Sequence, residues 1–237
     1  RWFAGHAEKR LKKTFGQVRV RGLESVRRQA AGAPILFVAN HVCWWDGLVI
    51  LYLSVHLLKL NAYAMMHSHN LRKRMFFARV GGFGFDPTRP GDGAQAIRHT
   101  AKLLHTGGDA VWIFPQGSEQ PQAKRPLGFA RGVGAIARLS PEAVVVPVGF
   151  CYRFAGEEQP ELWISIGAPC SGRTAAIERA VTEELDAIDR AAEEPDRATE
   201  FVAAWPARRR RFAALAEWML ATWAGRGVAA ARELPPA

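Results

Sequence analysis

Several features that would settle the class of this chain at once are missing from it. Cysteine is scarce: Cys43, Cys151 and Cys170 are odd in number and far apart, which argues against a disulfide framework and for buried thiols in a reducing compartment. Long hydrophobic runs are missing too. The longest, "GLVILYLSVHLL" from Gly47 to Leu58, is 12 residues and contains a histidine, whereas a bilayer-spanning helix needs roughly 20. It reads as a core helix. No charged-then-apolar leader opens the chain, and it starts at Arg1 rather than methionine, so residues are expected upstream. Internal repeats, low-complexity linkers, zinc-finger spacings, RNA-recognition signatures and the G-x-G-x-x-G spacing of a dinucleotide site are all lacking.

Acidic residues are the last deficit. With 22 Asp and Glu against 32 Lys and Arg, the net charge is +10 and the pI about 10.1. An anionic partner is expected, and charge alone does not choose among nucleic acid, a phosphate-bearing substrate and an anionic membrane surface. Apolar residues, by contrast, are plentiful. At 49% of 237 residues they are ample for one large domain with a buried core, which excludes disordered and fibrous classes.

Short β-type runs alternate with helical ones through the middle of the chain, the pattern of an α/β fold with a mixed, largely parallel sheet flanked by helices. The expected strands are 17–21, 35–39, 62–66, 83–86, 110–114, 143–148 and 162–166, with helices near 46–58, 69–79, 92–106 and 128–139. Both ends differ from this middle. Residues 1–16 place Trp2, Phe3, Ala7, Leu11 and Phe15 at near-helical spacing among lysines and arginines, as an amphipathic helix on anionic lipid would, and as a helix packed on its own domain would too. An α/β domain at 17–170 is expected to be followed by a helical extension at 171–237. It holds a helix near 173–194, then Arg208 to Arg211 among Trp205, Trp218 and Trp223, a composition that suits a membrane boundary.

The chemistry-bearing stretch is "NHVCWWDG" at 40–47. Five residues of ideal helix turn through roughly 500°, leaving His41 and Asp46 about 140° apart. They meet only if His41 sits on a turn after the strand and Asp46 opens the helix, where it is also a good N-terminal cap. Where they meet, Asp46 fixes the imidazole tautomer and the other ring nitrogen takes a proton from a hydroxyl. In "AVWIFPQGSEQP" at 110–121 a strand runs into a turn at Pro115, placing the backbone N–H groups of Gly117 and Ser118 where they can face an anion or oxyanion. "GGFGFDPTRPGD" at 81–92 is a further strand-to-turn unit, with Asp86 and Arg89 exposed. His67 and His69 in "HSH" lack a third ligand nearby, which argues against a metal site. Trp44 and Trp45 read as pocket wall or helix start, and "RKR" at 72–74 beside Met75, Phe76 and Phe77 reads equally as a solvated helix end or a lipid-facing one.

Taken in order, these stretches resemble the glycerol-phosphate and lysophosphatidic acid acyltransferase family. Its NHxxxxD motif is matched by Asn40, His41 and Asp46. Its G-x-(I/F)-x-(I/V)-D-R strand is approximated by Gly82, Phe83, Phe85 and Asp86, with Arg89 displaced. Its FPEGTR is approximated by Phe114, Pro115, Gln116, Gly117, Ser118 and Glu119, and its V-P-V strand is matched by Val146, Pro147 and Val148. "GFARGVGAIA" at 128–137 is similar to the family's F-K-x-G helix, and the likeness covers about residues 17–150.

The resemblance implies acyl transfer from a thioester co-substrate, acyl-coenzyme A or acyl-carrier protein, to the hydroxyl of a membrane lipid. It implies no metal, no other cofactor and no covalent acyl-enzyme. His41 would be the base, Asp46 its orienter, and Gly117 and Ser118 the positioning or oxyanion groups. The enzyme would lie peripherally on the cytoplasmic face of the membrane, without nucleic acid as a partner. Two residues depart from the motif. Gln116 stands where the family has Glu, and Glu119 where it has Arg, which repels a phosphate and leaves phosphate binding to Arg89, Lys124, Arg125 or Arg131, or to none. The expected acceptor is therefore a larger-headed lysophospholipid, an aminolipid, a glycolipid or a carotenoid glycoside. A basic nucleic-acid-binding protein and a non-catalytic lipid-binding relative are the rival readings.

Overall fold

The computed structural model describes residues 2–30, 32–73, 75–106, 109–155, 158–205 and 222. Its centre is β2 (Ile35–Ala39), apolar at every position and 0% exposed throughout. A strand of that kind can be covered on both faces, and it is. On one side it pairs in parallel with β5 (Ala110–Ile113), and on the other with β6 (Val144–Arg153), so that Ile35 stands beside both Ala110 and Val144. Beyond β5 come β3 (Ala62–His67) and β4 (Gly82–Phe85), also parallel. Beyond β6 come β7 (Glu161–Ile166), antiparallel to it, then β1 (Gln17–Arg21) and β8 (Val202–Trp205). The order is β4-β3-β5-β2-β6-β7-β1-β8, a mixed and mostly parallel sheet of eight strands.

Period-two alternation divides the core. Phe37, Trp112, Val146, Val148 and Phe150 face one helical layer, made of α1 (Trp2–Thr14), α2 (Leu23–Ala30) and α3 (Asp46–Tyr52, continued by π-helical turns over Leu53–Leu58). Leu36, Val38, Val111, Ile113 and Val145 face the other, made of α6 (Asp92–Thr106), α7 (Gly132–Leu139) and α8 (Thr174–Glu193). Short helices α4 (Ser68–Lys73), α5 (Phe76–Arg79) and α9 (Pro195–Ala198) complete the set. Trp112 stacks on Phe37 at 4.2 Å between ring centroids and donates its indole N–H to Ser54 Oγ at 2.9 Å.

Four expectations change, and of the two readings left open for the N-terminal helix, packing on its own domain is seen for its apolar face. The helix expected over 69–79 is two, α4 and α5, and the one expected from 128 starts at Gly132, because Gly128 is left-handed with φ +76. The apolar stripe of the N-terminal helix lies against the domain: Ala4, Ala7 and Leu11 are at most 2% exposed, so contact with lipid there would rest on other residues. The region after 170 is not all helical extension. Residues 1–205 form one compact unit, in which Ile177, Val181 and Leu185 of α8 are core and β8 pairs with β1. Trp205, expected at a membrane boundary, is buried and packs edge-on against Tyr52. Arg208 to Arg211, Trp218 and Trp223 lie outside the described residues. Among those described, no helix is long and apolar enough to cross a membrane.

Candidate active site

Parallel α/β sheets gather their functional groups where strands end and loops begin. Here β2 runs out at Ala39, and the next six residues turn sharply before α3 starts at Asp46. Asn40 pins the start of that turn: its side-chain amide donates to Phe150 O at 2.9 Å and accepts from Phe150 N at 2.8 Å, both buried. β6 outruns β2 at this edge, pairing Val148 with Ala39 and continuing to Arg153, which carries Tyr152 beneath the turn.

Asp46 is the hub. Its side chain is 0% exposed, and its Oδ2 accepts from Val42 N at 2.7 Å, from Cys43 N at 3.1 Å and from His41 Nδ1 at 2.7 Å. Its Oδ1 accepts from the Tyr152 hydroxyl at 2.5 Å. The ordinary role of capping α3 is not the one it takes: the cap position falls on Trp45 without a side-chain cap bond, and the carboxylate reaches back into the turn. Both oxygens of the buried carboxylate are thereby supplied with donors, as a buried polar group requires. Burial first, and then the adjacent Asp46 charge, push the Tyr152 hydroxyl well above the ordinary tyrosine range, so it stays a donor. The same causes raise the Cys43 thiol to about 11.

With Nδ1 turned to Asp46, the far nitrogen of His41, Nε2, is left for the cavity that His41 lines. That cavity has a volume of about 680 Å³. Its deep walls are apolar, from Ile50, Phe77, Ile97, Val133 and Ile136 among others, while Gly117, Ser118 and Glu119 contribute a polar wall. His41 stacks on Phe114, 4.7 Å between ring centroids.

The remaining expected residues divide. Gln116 does not line the cavity: its Oε1 accepts from His41 N at 2.6 Å, and its amide donates to Leu127 O at 3.3 Å, so it braces the histidine's backbone. Gly117, left-handed at φ +73, commits its N–H to Phe114 O at 3.0 Å, which removes it as an anion donor. Ser118 and Glu119 are exposed at the cavity. Asp86, Arg89, Arg125 and Arg131 are not among its lining residues. Asp86 instead accepts from Thr88 N at 3.0 Å and Thr88 Oγ1 at 2.6 Å, which lowers its pKa. Arg125 binds the carbonyls of Gln122 and Lys124, and Lys124 donates to Gln120 Oε1.

Tyr152 and His67 are the residues that sequence reasoning did not place here. Continuing the alternation of β6 past Val146, Val148 and Phe150 puts Tyr152 on the same face, a signal that was available; nothing in the sequence marks its partner. Among the described residues no group of three His, Cys, Asp or Glu is placed to hold a metal ion.

The sequence profile of the family described as Acyltransferase matches residues 17–151. Among solved structures, the fold is similar to the 1-acyl-sn-glycerophosphate (LPA) acyltransferase PlsC from Thermotoga maritima, with a TM-score of 0.58 and 17% identity over 81% of this chain and 78% of that one. No curated protein matches. The matched span is more than half of the chain and contains the His41–Asp46 turn and the Phe114–Glu119 turn, so this chain belongs to the acyltransferase family.

Proposed function

We propose that the protein transfers a fatty acyl group from a thioester, acyl-coenzyme A or acyl-carrier protein, to a hydroxyl of a membrane lipid. The observation that carries this reading is the 2.7 Å contact between His41 Nδ1 and a fully buried Asp46, with the opposite ring nitrogen left to an apolar cavity. The lipid hydroxyl gives its proton to Nε2 as its oxygen attacks the thioester carbonyl. The tetrahedral oxyanion then collapses, and the departing thiolate takes the proton back from the imidazolium. Asp46 stabilises that imidazolium throughout. A thiolate leaves readily, so one oriented base and an oxyanion donor suffice, and no protein nucleophile is required.

The cavity wall supports an acceptor without a phosphate monoester. Among the described residues its lining includes no lysine or arginine, and Glu119 is its one carboxylate. Two like charges about 4 Å apart repel by about 1 kcal/mol in water and about 4 kcal/mol near a protein surface. We therefore place the acceptor among lipids whose head near the reacting hydroxyl is neutral or amine-bearing. The net charge of +10 supports peripheral attachment to an anionic membrane face, which we assign to the cytoplasmic side.

The test is a panel of lysophosphatidic acid, lysophospholipids with amine heads, aminolipids and glycolipids, offered with labelled acyl-coenzyme A or acyl-carrier protein to the wild type and His41→Ala. Transfer to uncharged or amine-bearing acceptors is expected, reduced about 10²- to 10⁴-fold in the variant. Preference for lysophosphatidic acid would overturn the acceptor assignment. Activity unchanged by His41→Ala would overturn the mechanism.

A further inference from the structure

His67 is the last residue of β3, one strand over from β5, which ends at Ile113 before the Phe114–Glu119 turn. Since Ala64 pairs with Trp112, the extra length of β3 carries His67 alongside that turn. There its Nε2 lies 2.5 Å from Gly117 O. A carbonyl only accepts, so Nε2 carries the proton and the ring is a donor in its neutral and its charged form alike. Phe85 packs against the ring, with 5.4 Å between centroids.

We infer that His67 is a positioning residue for acyl transfer, acting through the peptide between Gly117 and Ser118; this rests on the acyl-transfer reading of the site. A trans peptide is planar, with its C=O and N–H pointing in opposite directions. Holding Gly117 O on one side therefore sets the direction of the Ser118 N–H on the other. The carbonyl needs such a hold because Gly117 is a left-handed glycine, the residue type with the widest choice of backbone angles. The Gly117 N–H is spent on Phe114 O, and Ser118 Oγ accepts from Gln120. The Ser118 N–H has no partner among the described residues, and Ser118 lines the cavity together with His41. A fixed, unclaimed amide beside the base is the donor that a developing oxyanion needs.

The experiment compares kcat, KM and melting temperature for the wild type, His67→Gln and His67→Leu, with the best acceptor from the panel and acyl-coenzyme A. Glutamine carries an N–H donor at the reach of Nε2, and leucine carries none. A misdirected oxyanion donor is felt in the transition state and not in substrate binding. His67→Leu should lose roughly tenfold to a hundredfold in kcat at near-constant KM, short of the loss on deleting a donor outright. His67→Gln should stay within about fivefold of wild type, and the acid limb of its pH profile should not move, because the proposed base is unchanged. Equal losses in the two variants, a loss carried by KM, or a displaced acid limb in His67→Gln would each overturn the inference. His67→Met, also without a donor, replaces the leucine variant should that one fail to melt cooperatively. Because His41→Ala is run alongside, the outcomes separate: if it retains transfer the mechanism fails, and if it alone is inactive the role of His67 fails.

Discussion

At the scale of single residues, the site is organised around one carboxylate with four donors. Two are backbone amides within the turn itself, Val42 and Cys43, and these were implicit in the spacing of His41 and Asp46. The other two differ in origin. His41 is five positions away, whereas Tyr152 is 106 positions away and arrives only because β6 outruns β2. Local spacing exposes the first kind of contact and is blind to the second, which is why the meeting of His41 with Asp46 was legible and the tyrosine was not. Tyr152→Phe tests the second kind. It removes the bond to Oδ1 and leaves the three to Oδ2, and a buried acceptor short of a partner costs about 1 to 3 kcal/mol. Denaturant unfolding should show that loss, and kcat should fall several-fold as Asp46 and His41 gain freedom. Unchanged stability and unchanged kcat would mean that the backbone amides alone hold the carboxylate.

Elements were legible where their pattern was strong. β1 and β2 fall at their expected bounds because alternating QVRVR and unbroken ILFVA admit little else. α2 and β8 were not foreseen. In LESVRRQA five of the eight residues are polar or charged, and VAAW is four residues with no alternation; tertiary contacts decide both. α1 is the instructive case, because an amphipathic basic helix satisfies two readings until its apolar face is located. That face is in the core, where Leu11 is 1% exposed. Leu11→Ala should cost about 2 to 5 kcal/mol as a buried leucine cavity and leave binding to anionic vesicles unaltered in the folded fraction. The exposed Lys9 and Lys13 make the opposite prediction. Reversing them to glutamate should weaken flotation with anionic vesicles at low salt, by roughly 1 kcal/mol per charge, at little cost in melting temperature. Vesicle binding lost with Leu11→Ala and retained in the charge-reversed variant would return the apolar face to the membrane.

Across the whole molecule, the three cysteines that composition marked as buried thiols share one electrostatic condition. Burial is the leading cause in each case, and Cys43, Cys151 and Cys170 are all raised to about 11. An unfolded chain would release the same protons near pH 8.5. Between those values the unfolded state holds fewer protons than the folded one, so this contribution to stability is complete below about pH 8.5 and is lost as pH rises towards 11. Denaturant unfolding at pH 8.0 and 9.5 should therefore show a larger fall for the wild type than for the triple variant Cys43→Ala, Cys151→Ala, Cys170→Ala. An equal fall in both would show that the thiols do not carry it. The consequence for chemistry is local to Cys43, which shares a turn with the base. With a pKa of about 11, roughly one molecule in a thousand holds its thiolate at pH 8. In the proposed reaction a thioester beside His41 would meet a deprotonating lipid hydroxyl and an inert thiol, which would keep the acyl group from being captured by the protein. Mass spectrometry of protein incubated with acyl-coenzyme A and no acceptor should find Cys43 unmodified at pH 7.5, with its alkylation by iodoacetamide accelerating steadily as pH is raised towards 11. Rapid acylation of Cys43 at neutral pH would instead make that cysteine a nucleophile and move the reaction from direct transfer to a two-step one.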